Sequence, residues 1–318
     1  MSISATTPPI IDFTTAETFV ESEWIGSGKV YDAKIPIFVS DAKKNMFSIP
    51  PDFRNLFPDN SLPVIQFLSK KLPVPSSNLV VAKPQLWFSP DMATGKPNGD
   101  VLLSRPMPTE HFVLFGLDRI AGQAWLDGAK SILDPRFNDG SDHYPLWVLT
   151  FWKTMFYTTK TQLLWQASYK WLQREAEKAK DEGRVNTLIT KAFDILNHVP
   201  WSARLPHLRG TTNTRELCTF LSNGWLNDNH IDMMIESLLR ELDATEKVTI
   251  APCHFATQIV EWATGKGNNQ GHGLRHQYQK LVKEKKLHKL FFPVHIQSNH
   301  WIGAFVDFVE GKVGYGEN

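Results

Sequence analysis

Residues 291–318 read FFPVHIQSNHWIGAFVDFVEGKVGYGEN and decide the fold of this part of the chain. An apolar run at 290–296 ends in a polar loop, an Asn-His-Trp triplet opens a second run at 300–308, and a third run follows at 312–316. Runs of β-branched and aromatic residues separated by short polar loops are typical of consecutive strands. The stretch therefore predicts three successive β-strands.

The third strand leads into an acid, Glu317, seventeen residues after His300. A general-base histidine needs an acceptor on its second ring nitrogen, because that contact fixes its tautomer and orientation. Asp307 is nearer in sequence, but seven residues along one strand span about 23 Å, and an odd spacing places it on the opposite face. His300 and Glu317 are therefore the candidate catalytic pair.

The register of the last hairpin decides whether these two residues meet. A turn centred near Phe308–Val309 sets Glu317 opposite His300. A tight two-residue turn at Glu310–Gly311 instead pairs Glu317 with Ala304, about 13 Å from His300. The sequence leaves the register open, and the catalytic pair requires a longer or bulged connection.

Upstream of the strands the pattern is helical. The stretch 224–242 predicts a helix capped by Asn227 or Asp228, and residues 248–260 predict a strand that runs into a helix. A basic amphipathic helix is predicted over 274–290. Helices followed by consecutive strands indicate an α+β fold. The first of these helices is predicted to bury Ile231, Met234, Ile235, Leu238 and Leu239.

Residues 1–205 are predicted to form an α-rich accessory region of unknown role. Prolines recur through residues 1–110 and exclude long helices there. Further on, apolar periodicity predicts helices over 159–180 and 185–199. The polar, turn-rich stretch 202–216 is the predicted domain boundary.

Composition excludes several classes of protein. Thirty-four Lys and Arg against 33 Asp and Glu give a net charge of +1, which argues against a protein that mainly neutralises a nucleic-acid backbone. Two cysteines are too few for a disulfide framework and indicate a reducing compartment. No signal peptide is visible, and the most apolar run, 144–157, is too short to span a membrane. We expect an intracellular protein of the nucleus or cytoplasm, with no membrane partner.

Eleven tryptophans indicate a chain with many large buried or interface rings. Four of them fall in the stretch 142–171 and are predicted to belong to the core of the N-terminal region, with a partner groove as the alternative: Trp147, Trp152, Trp165 and Trp171.

Residues 206–318 resemble the first half of the Ulp/SENP-type cysteine proteases, which process ubiquitin-like modifiers such as SUMO. The resemblance implies an incomplete papain-like α+β protease domain, preceded by the α-rich region. It is carried by WLND (225–228), HFATQIV (254–260), FFPVHI (291–296), HW (300–301) and the acid of YGEN seventeen residues after the histidine.

The resemblance also implies roles for single residues. His300 would be the general base and Glu317 the acid that orients it; the family usually has Asp there, whereas its adenoviral relatives have Glu. Trp225 and Trp301 would wall a narrow tunnel for the modifier's Gly-Gly tail, and Asp228 would lie near the modifier-binding surface. A tunnel clamped by two indoles admits only residues without side chains, which selects Gly-Gly by exclusion.

The nucleophile that this chemistry needs is missing from the sequence. In the family it follows the acid in a Gln-x-x-Gly-x-x-Cys-Gly-like stretch, whereas this sequence ends at Asn318. Cys218 and Cys253 both precede His300, and Cys253 aligns with a core strand of the family, so both are expected to be buried thiols. We expect a cysteine-type (iso)peptidase fragment that is inactive on its own; the alternative is a non-catalytic modifier-binding or scaffold protein from a decayed protease gene.

No metal or cofactor is expected. His272 and His276 have an i, i+4 spacing, but the motif lacks the intervening Glu and a third ligand. The lysines of the basic helix are expected to form a solvated face, with nucleic-acid binding as a weaker alternative. The expected partner is a SUMO-type modifier or its conjugates.

Overall fold

A computed structural model describes residues 18–73, 83–94, 98–134, 143–180, 182–205, 212–265, 272–296 and 300–316. The chain divides into two compact units, Met1–Asp59 with Ser69–Leu163, and Asn60–Leu68 with Leu164–Asn318. The fold is α+β, as predicted. The predicted boundary at residues 205–206 stays a prediction, since 206–211 lie outside the described residues. None of the described helices is long and apolar enough to cross a bilayer.

Helices predominate over strands in the part of the chain that the structure describes. The described helices are α1 (Glu21–Trp24), α2 (Ile37–Met46), α3 (Val64–Leu68), α4 (Gly99–Ser104), α5 (Asp118–Leu126), α6 (Trp147–Lys178), α7 (Gly183–His198), α8 (Leu217–Phe220), α9 (Asp228–Glu241), α10 (His254–Ala263) and α11 (His272–Lys283). The strands are β1 (Phe88–Ser89), β2 (Ser131–Leu133), β3 (His143–Pro145), β4 (Val248–Ile250), β5 (Lys289–Ile296), β6 (His300–Asp307) and β7 (Lys312–Gly316).

Helix α6 differs from its prediction at one end. It begins at Trp147, twelve residues before the predicted start, and spans 32 residues. Neither Gly nor Pro interrupts the sequence from Trp147 to Lys178, so nothing stops the helix from including most of the apolar run 144–157. Before residue 110, the described helices stay at ten residues or fewer, as the prolines predicted.

The first unit is built on an aromatic core. Trp147 packs against Phe53 with ring centroids 4.6 Å apart, and Trp152 meets Trp87 edge-on at 6.2 Å. Trp147 and Trp152 are buried, which confirms their predicted place in the core. Trp165 is buried as well, but it belongs to the second unit and not to this core. Aromatic pairs of this geometry add to the free energy of burial.

The second unit contains a four-stranded sheet in the order β4-β5-β6-β7. β4 runs parallel to β5, and helices α10 and α11 connect the two; β5, β6 and β7 form the predicted meander with antiparallel pairing. One face of the sheet is covered by a small apolar core: Ala251, Phe255, Tyr278, Leu287 and Leu290.

The basic helix is shorter than predicted. α11 ends at Lys283 instead of residue 290. Lys285 adopts a left-handed backbone conformation with φ of 56°, which breaks the helix, and Leu287 then turns into the core.

The β6–β7 hairpin takes a register between the two that the sequence left open. Asp307 pairs with Lys312 and Gly303 with Gly316, so the loop is the four residues 308–311. This pairing is offset by two residues from a register that sets residue 317 opposite His300, and by two from the tight-turn register. Glu317 itself lies outside the described residues.

Asp307 organises this turn. Its carboxylate is buried, accepts hydrogen bonds of 3.0 Å from the backbone N–H groups of Val309 and Glu310, and lies 3.1 Å from Lys289 Nζ. The hydrogen bond from Glu310 and the contacts with Lys289 and Val309 lower the pKa of Asp307 below its ordinary value of 3.8. Asp307 is therefore committed to the turn, at the opposite end of β6 from His300.

This lowered pKa predicts a pH dependence of stability. A carboxylate with a depressed pKa in the folded state stabilises the fold above its unfolded pKa, and the contribution disappears as pH falls through the folded value. We expect the Tm of the wild type, followed by circular dichroism from pH 6 to pH 2.5, to fall more steeply below pH 4 than that of Asp307→Asn. Lys289→Gln keeps the two turn hydrogen bonds and should keep most of the slope. Equal slopes for wild type and Asp307→Asn would contradict this assignment.

Candidate functional site

The WLND segment, residues 225–228, is fixed at its end by a reciprocal helix cap. The side chain of Asn227 accepts a hydrogen bond from the backbone N–H of His230, and Nδ1 of His230 accepts one from the backbone N–H of Asn227, both at 3.2 Å. Of the two predicted caps, Asn227 is therefore the correct one. Asp228 is the first residue of α9, exposed, where a negative charge is favoured by the helix dipole.

The cap also sets which face of α9 is buried. His230 is drawn inside, 3 % exposed, and Met233 follows it one turn later on the same face. Met234 and Leu238 were predicted to be buried, but they are 45 % and 49 % exposed. That part of the prediction was wrong, because the pattern of apolar residues does not show that a histidine turns inward.

Trp301 joins the WLND segment to strand β6. Its indole N–H donates a 3.0 Å hydrogen bond to the carbonyl oxygen of Leu226, 75 residues earlier in the chain. On β5, His295 is the cross-strand partner of Trp301, and the two rings stack with centroids 4.5 Å apart. The tryptophan is half-buried between these contacts. Two of the motifs singled out in the sequence, WLND and HW, are thus in direct contact.

His300 begins strand β6 and is exposed to solvent. It pairs with Ile296 across the β5–β6 hairpin, and its side chain points to the opposite face of the sheet from Trp301. Within the described residues no ion pair links His300 to an acid. Because Glu317 lies outside them, the pairing of His300 with Glu317 stays a prediction.

Trp225 presents a large apolar ring to solvent. Its side chain is 75 % exposed, although it lies next to Leu226, whose carbonyl holds Trp301. Asp228 is exposed three residues further on. Trp225 and Asp228 thus lie in the WLND segment, and Trp301 on β6 contacts the same segment through Leu226. The tunnel between the two indoles remains a prediction.

Neither cysteine is placed to act as a nucleophile. Cys218 and Cys253 are both buried and free. Burial raises the pKa of Cys218 to about 12, and burial together with the neighbouring carboxylate of Asp232 raises the pKa of Cys253 even further. A thiol with a raised pKa supplies almost no thiolate at neutral pH. The expectation of two buried thiols is confirmed.

The alignment with the family placed Cys253 on a core strand, but in the structure Cys253 does not lie on a strand. It is the cap residue before α10; its N–H donates to Oδ1 of Asp232 at 2.8 Å, and its thiol contacts the carbonyl oxygen of Asp228 at 3.6 Å. Ala251 still donates its N–H to the carbonyl oxygen of Phe291 on β5 at 2.8 Å, but Pro252 has no N–H to continue the ladder. Cys253 thus connects α10 to the first turn of α9.

The burial of the thiols predicts slow alkylation. With iodoacetamide at pH 7.5, we expect both cysteines of the folded chain to react at least about a hundredfold more slowly than free cysteine, because thiolate and access are both limited. Mass spectrometry should show two modified sites only after denaturation in urea. Rapid labelling of Cys253 in the folded protein would contradict this and make it a candidate nucleophile.

No metal site is found in the part of the chain that the structure describes, where no three residues among His, Cys, Asp and Glu cluster. The side chain of His272 lies outside that part.

In the predicted basic helix, residues 274–290, the side chains of Lys280 and Lys286 form ion pairs with Glu284 at 3.9 Å and 2.8 Å. These ion pairs offset some of the positive charge of the segment.

The comparisons with known proteins give a distant and partial likeness of fold. No family model and no curated protein matches the chain. Among solved structures, it is similar to the SUMO protease Ulp1 with its catalytic cysteine oxidised to a sulfinic acid (22 % identity, TM-score 0.29, covering 37 % of this chain and 52 % of that chain). It is also similar to the C-terminal Ulp1 protease domain in complex with Smt3, the yeast ortholog of SUMO (24 %, 0.24, 34 % and 47 %). The chain spans about half the length of these solved chains.

Two residues of this region were not predicted from the sequence. His295 stacks on Trp301, and Asp232 holds the backbone of Cys253. The signal for His295 was present, because two strands separated by only three residues, 297–299, place residues 295 and 301 opposite each other. Asp232 offered no signal, since its contact depends on how α9 packs against the start of α10.

Proposed function

We propose that residues 206–318 form the front part of a papain-like cysteine (iso)peptidase domain that recognises a SUMO-type modifier ending in Gly-Gly. The observation that carries this proposal is the hydrogen bond from the Trp301 indole to the Leu226 carbonyl. It unites the WLND and HW motifs, 75 residues apart, on which the sequence resemblance rests.

Recognition would rest on the exposed groups around this hydrogen bond. Trp225 offers a ring that an extended Gly-Gly tail can lie against, and Trp301 is held in place by Leu226 and His295. Large aromatic side chains bordering a narrow passage exclude every residue with a side chain. Asp228, exposed at the start of α9, would contact the body of the modifier.

Catalysis would use His300 as general base and acid. A thiolate attacks the carbonyl carbon after Gly-Gly, and the imidazolium then gives its proton to the leaving amine. Exposure at the first position of β6 leaves His300 accessible to such a substrate, and Glu317 would orient its ring. Because both cysteines of this chain are buried with raised pKa, we propose that the chain alone binds the modifier without cleaving it.

A non-catalytic modifier-binding or scaffold protein is the second candidate. The same buried cysteines favour it, because a binding module needs Trp225, Trp301 and Asp228 but no thiolate. The two candidates share the binding surface and differ only in whether a nucleophile is supplied from another source.

A titration tests the shared part of the proposal. Isothermal calorimetry of this chain with a SUMO-type modifier should give a Kd below about 100 μM, a favourable binding free energy of at least about 5.5 kcal/mol, and ubiquitin should bind more weakly. A modifier carrying a C-terminal fluorophore should be bound but not hydrolysed. Hydrolysis above background would contradict the assignment of both cysteines as inert, and no binding of either modifier at several hundred micromolar would contradict both candidates.

A further inference from the structure

Helix α7 carries an apolar stripe that the described residues leave partly uncovered. Val185, Leu188, Ala192 and Ile195 follow each other at spacings of three, four and three residues, which is the spacing of a coiled-coil seam. Leu188 and Ile195 are 57 % and 54 % exposed, Val185 is 39 % exposed and Ala192 is half-buried. We call these four residues the α7 stripe.

The stripe is distinct from the face by which α7 packs in its own unit. Ile189 and Leu196 are buried, seven residues apart, and Phe193 meets Tyr169 of α6 edge-on at 5.5 Å. These three side chains lie on one side of the stripe. The helix therefore has more apolar surface than its own packing covers. Single exposed apolar side chains are normal on a protein surface, but these residues form a continuous, regularly spaced row.

A row of basic residues borders the other side of the stripe. Arg184, Lys191 and His198 are spaced seven residues apart, so they line up along the helix. Nδ1 of His198 lies 3.6 Å from a carboxylate oxygen of Asp194, and Arg184 and Lys191 are both exposed. In coiled coils, the residues that flank the seam select the partner through their charge.

The residues on both sides of the stripe disfavour a second copy as the occupant. If two α7 helices paired antiparallel through their stripes, the Arg184–Lys191 rows would face each other as like charges. If they paired parallel, the basic row of each helix would face Ile189 and Leu196 of the other helix. These two side chains are already buried in their own unit and cannot form that contact. Juxtaposed like charges oppose association, and opposite charges favour it.

We propose that the α7 stripe is a docking surface for an amphipathic helix with an apolar seam and acidic flanking residues. The apolar stripe would bury the seam of the partner, and Arg184 and Lys191 would pair with its carboxylates. At 1.5 Å per residue, α7 is about 24 Å long, which accommodates about two heptads of a partner. The surface lies within the α-rich region, 1–205, for which the sequence indicates no role, and it does not depend on the proposed protease function.

Anisotropy of a labelled synthetic peptide tests this proposal on the full chain. The probe has three heptads with Ile and Leu at the seam and Glu at both flanks; the matched peptide has Lys at both flanks. We expect the acidic peptide to bind at least about tenfold more tightly than the basic one, and its affinity to fall as NaCl is raised from 50 to 500 mM. Equal binding of the two peptides, or binding of neither, overturns the proposal.

Variants locate the surface. The double variant Leu188→Ser, Ile195→Ser should weaken binding of the acidic peptide at least about tenfold, and Arg184→Gln, Lys191→Gln should remove most of its salt dependence. The control Asn186→Ala, Thr190→Ala lies on the opposite side of α7 and should bind as the wild type does. Weakening by the control as strong as that by the stripe variant overturns the proposal.

Two further measurements distinguish other occupants. If the chain itself covers the stripe, Leu188→Ser, Ile195→Ser lowers Tm far more than the control, and the proposal is overturned. If sedimentation equilibrium shows a dimer that the stripe variant dissociates, a second copy is the occupant, and the proposal is overturned as well. A monomer with nearly unchanged Tm, combined with loss of peptide binding, supports it.

Discussion

Replacing Trp165 with alanine is expected to lower the free energy of unfolding of the second unit by about 3–5 kcal/mol. Trp165 is fully buried, and its indole N–H donates a 3.1 Å hydrogen bond to the carbonyl oxygen of Trp201. Trp201 in turn stacks on Phe67 with ring centroids 4.0 Å apart. Truncation leaves a large cavity and removes a buried hydrogen bond, and both effects act in the same direction.

Denaturation in urea, followed by circular dichroism, measures this effect. Leu164→Ala is the matched control, because Leu164 is the preceding residue on α6 and is 45 % exposed; we expect it to cost less than about 1 kcal/mol. Trp165→Phe keeps most of the ring volume and should cost an intermediate amount. Equal losses for Trp165→Ala and Leu164→Ala would show that Trp165 does not anchor the unit.

The second large effect concerns recognition. Trp225→Ala is expected to weaken binding of a SUMO-type modifier at least about tenfold while leaving Tm unchanged, since the side chain is 75 % exposed and exposed tryptophans that contact a partner dominate binding energies. The measurement is the same calorimetric titration as for the wild type. This prediction rests on the proposed function.

The control is another exposed tryptophan of the same unit. Trp262 on α10 is 55 % exposed, with Arg275 over its ring at 4.0 Å, and it lies outside the WLND segment. Trp262→Ala should leave modifier binding within about twofold of the wild type, as is usual for residues outside an interface. If both variants bind equally well, Trp225 is not a recognition residue, whether or not the chain binds the modifier.

The sequence predicted the strands at this end of the chain well, because their apolar runs are bounded by polar loops. It did not predict the register of β6 and β7, which depends on the turn. Asp307 accepts two backbone N–H bonds there, and Gly311 adopts a φ of 64°, so four residues are needed to reverse the chain. Such a turn competes with shorter alternatives that the residue types equally allow.

The candidate site was predictable in its parts and less so in its assembly. WLND and HW were identified by residue type, but only the packed structure shows that the Trp301 indole reaches Leu226. Contacts over 75 residues depend on the packing of whole elements, which local patterns do not encode. Cys253 illustrates the same limit, because its burial was predicted correctly and its place at the start of α10 was not.

The reciprocal cap of α9 has a consequence for the hydrogen on the His230 ring. Because Nδ1 accepts the N–H of Asn227, the neutral imidazole carries its proton on Nε2, and only one of its two tautomers is compatible with the cap. Nε2 is buried and makes no hydrogen bond within the described residues; a carboxylate oxygen of Glu216 lies 3.6 Å away, beyond hydrogen-bond distance. The end of the WLND segment is thus held by a ring that is chemically asymmetric: the lone pair of Nδ1 accepts a backbone N–H, while the hydrogen on Nε2 is buried without an acceptor among the described residues.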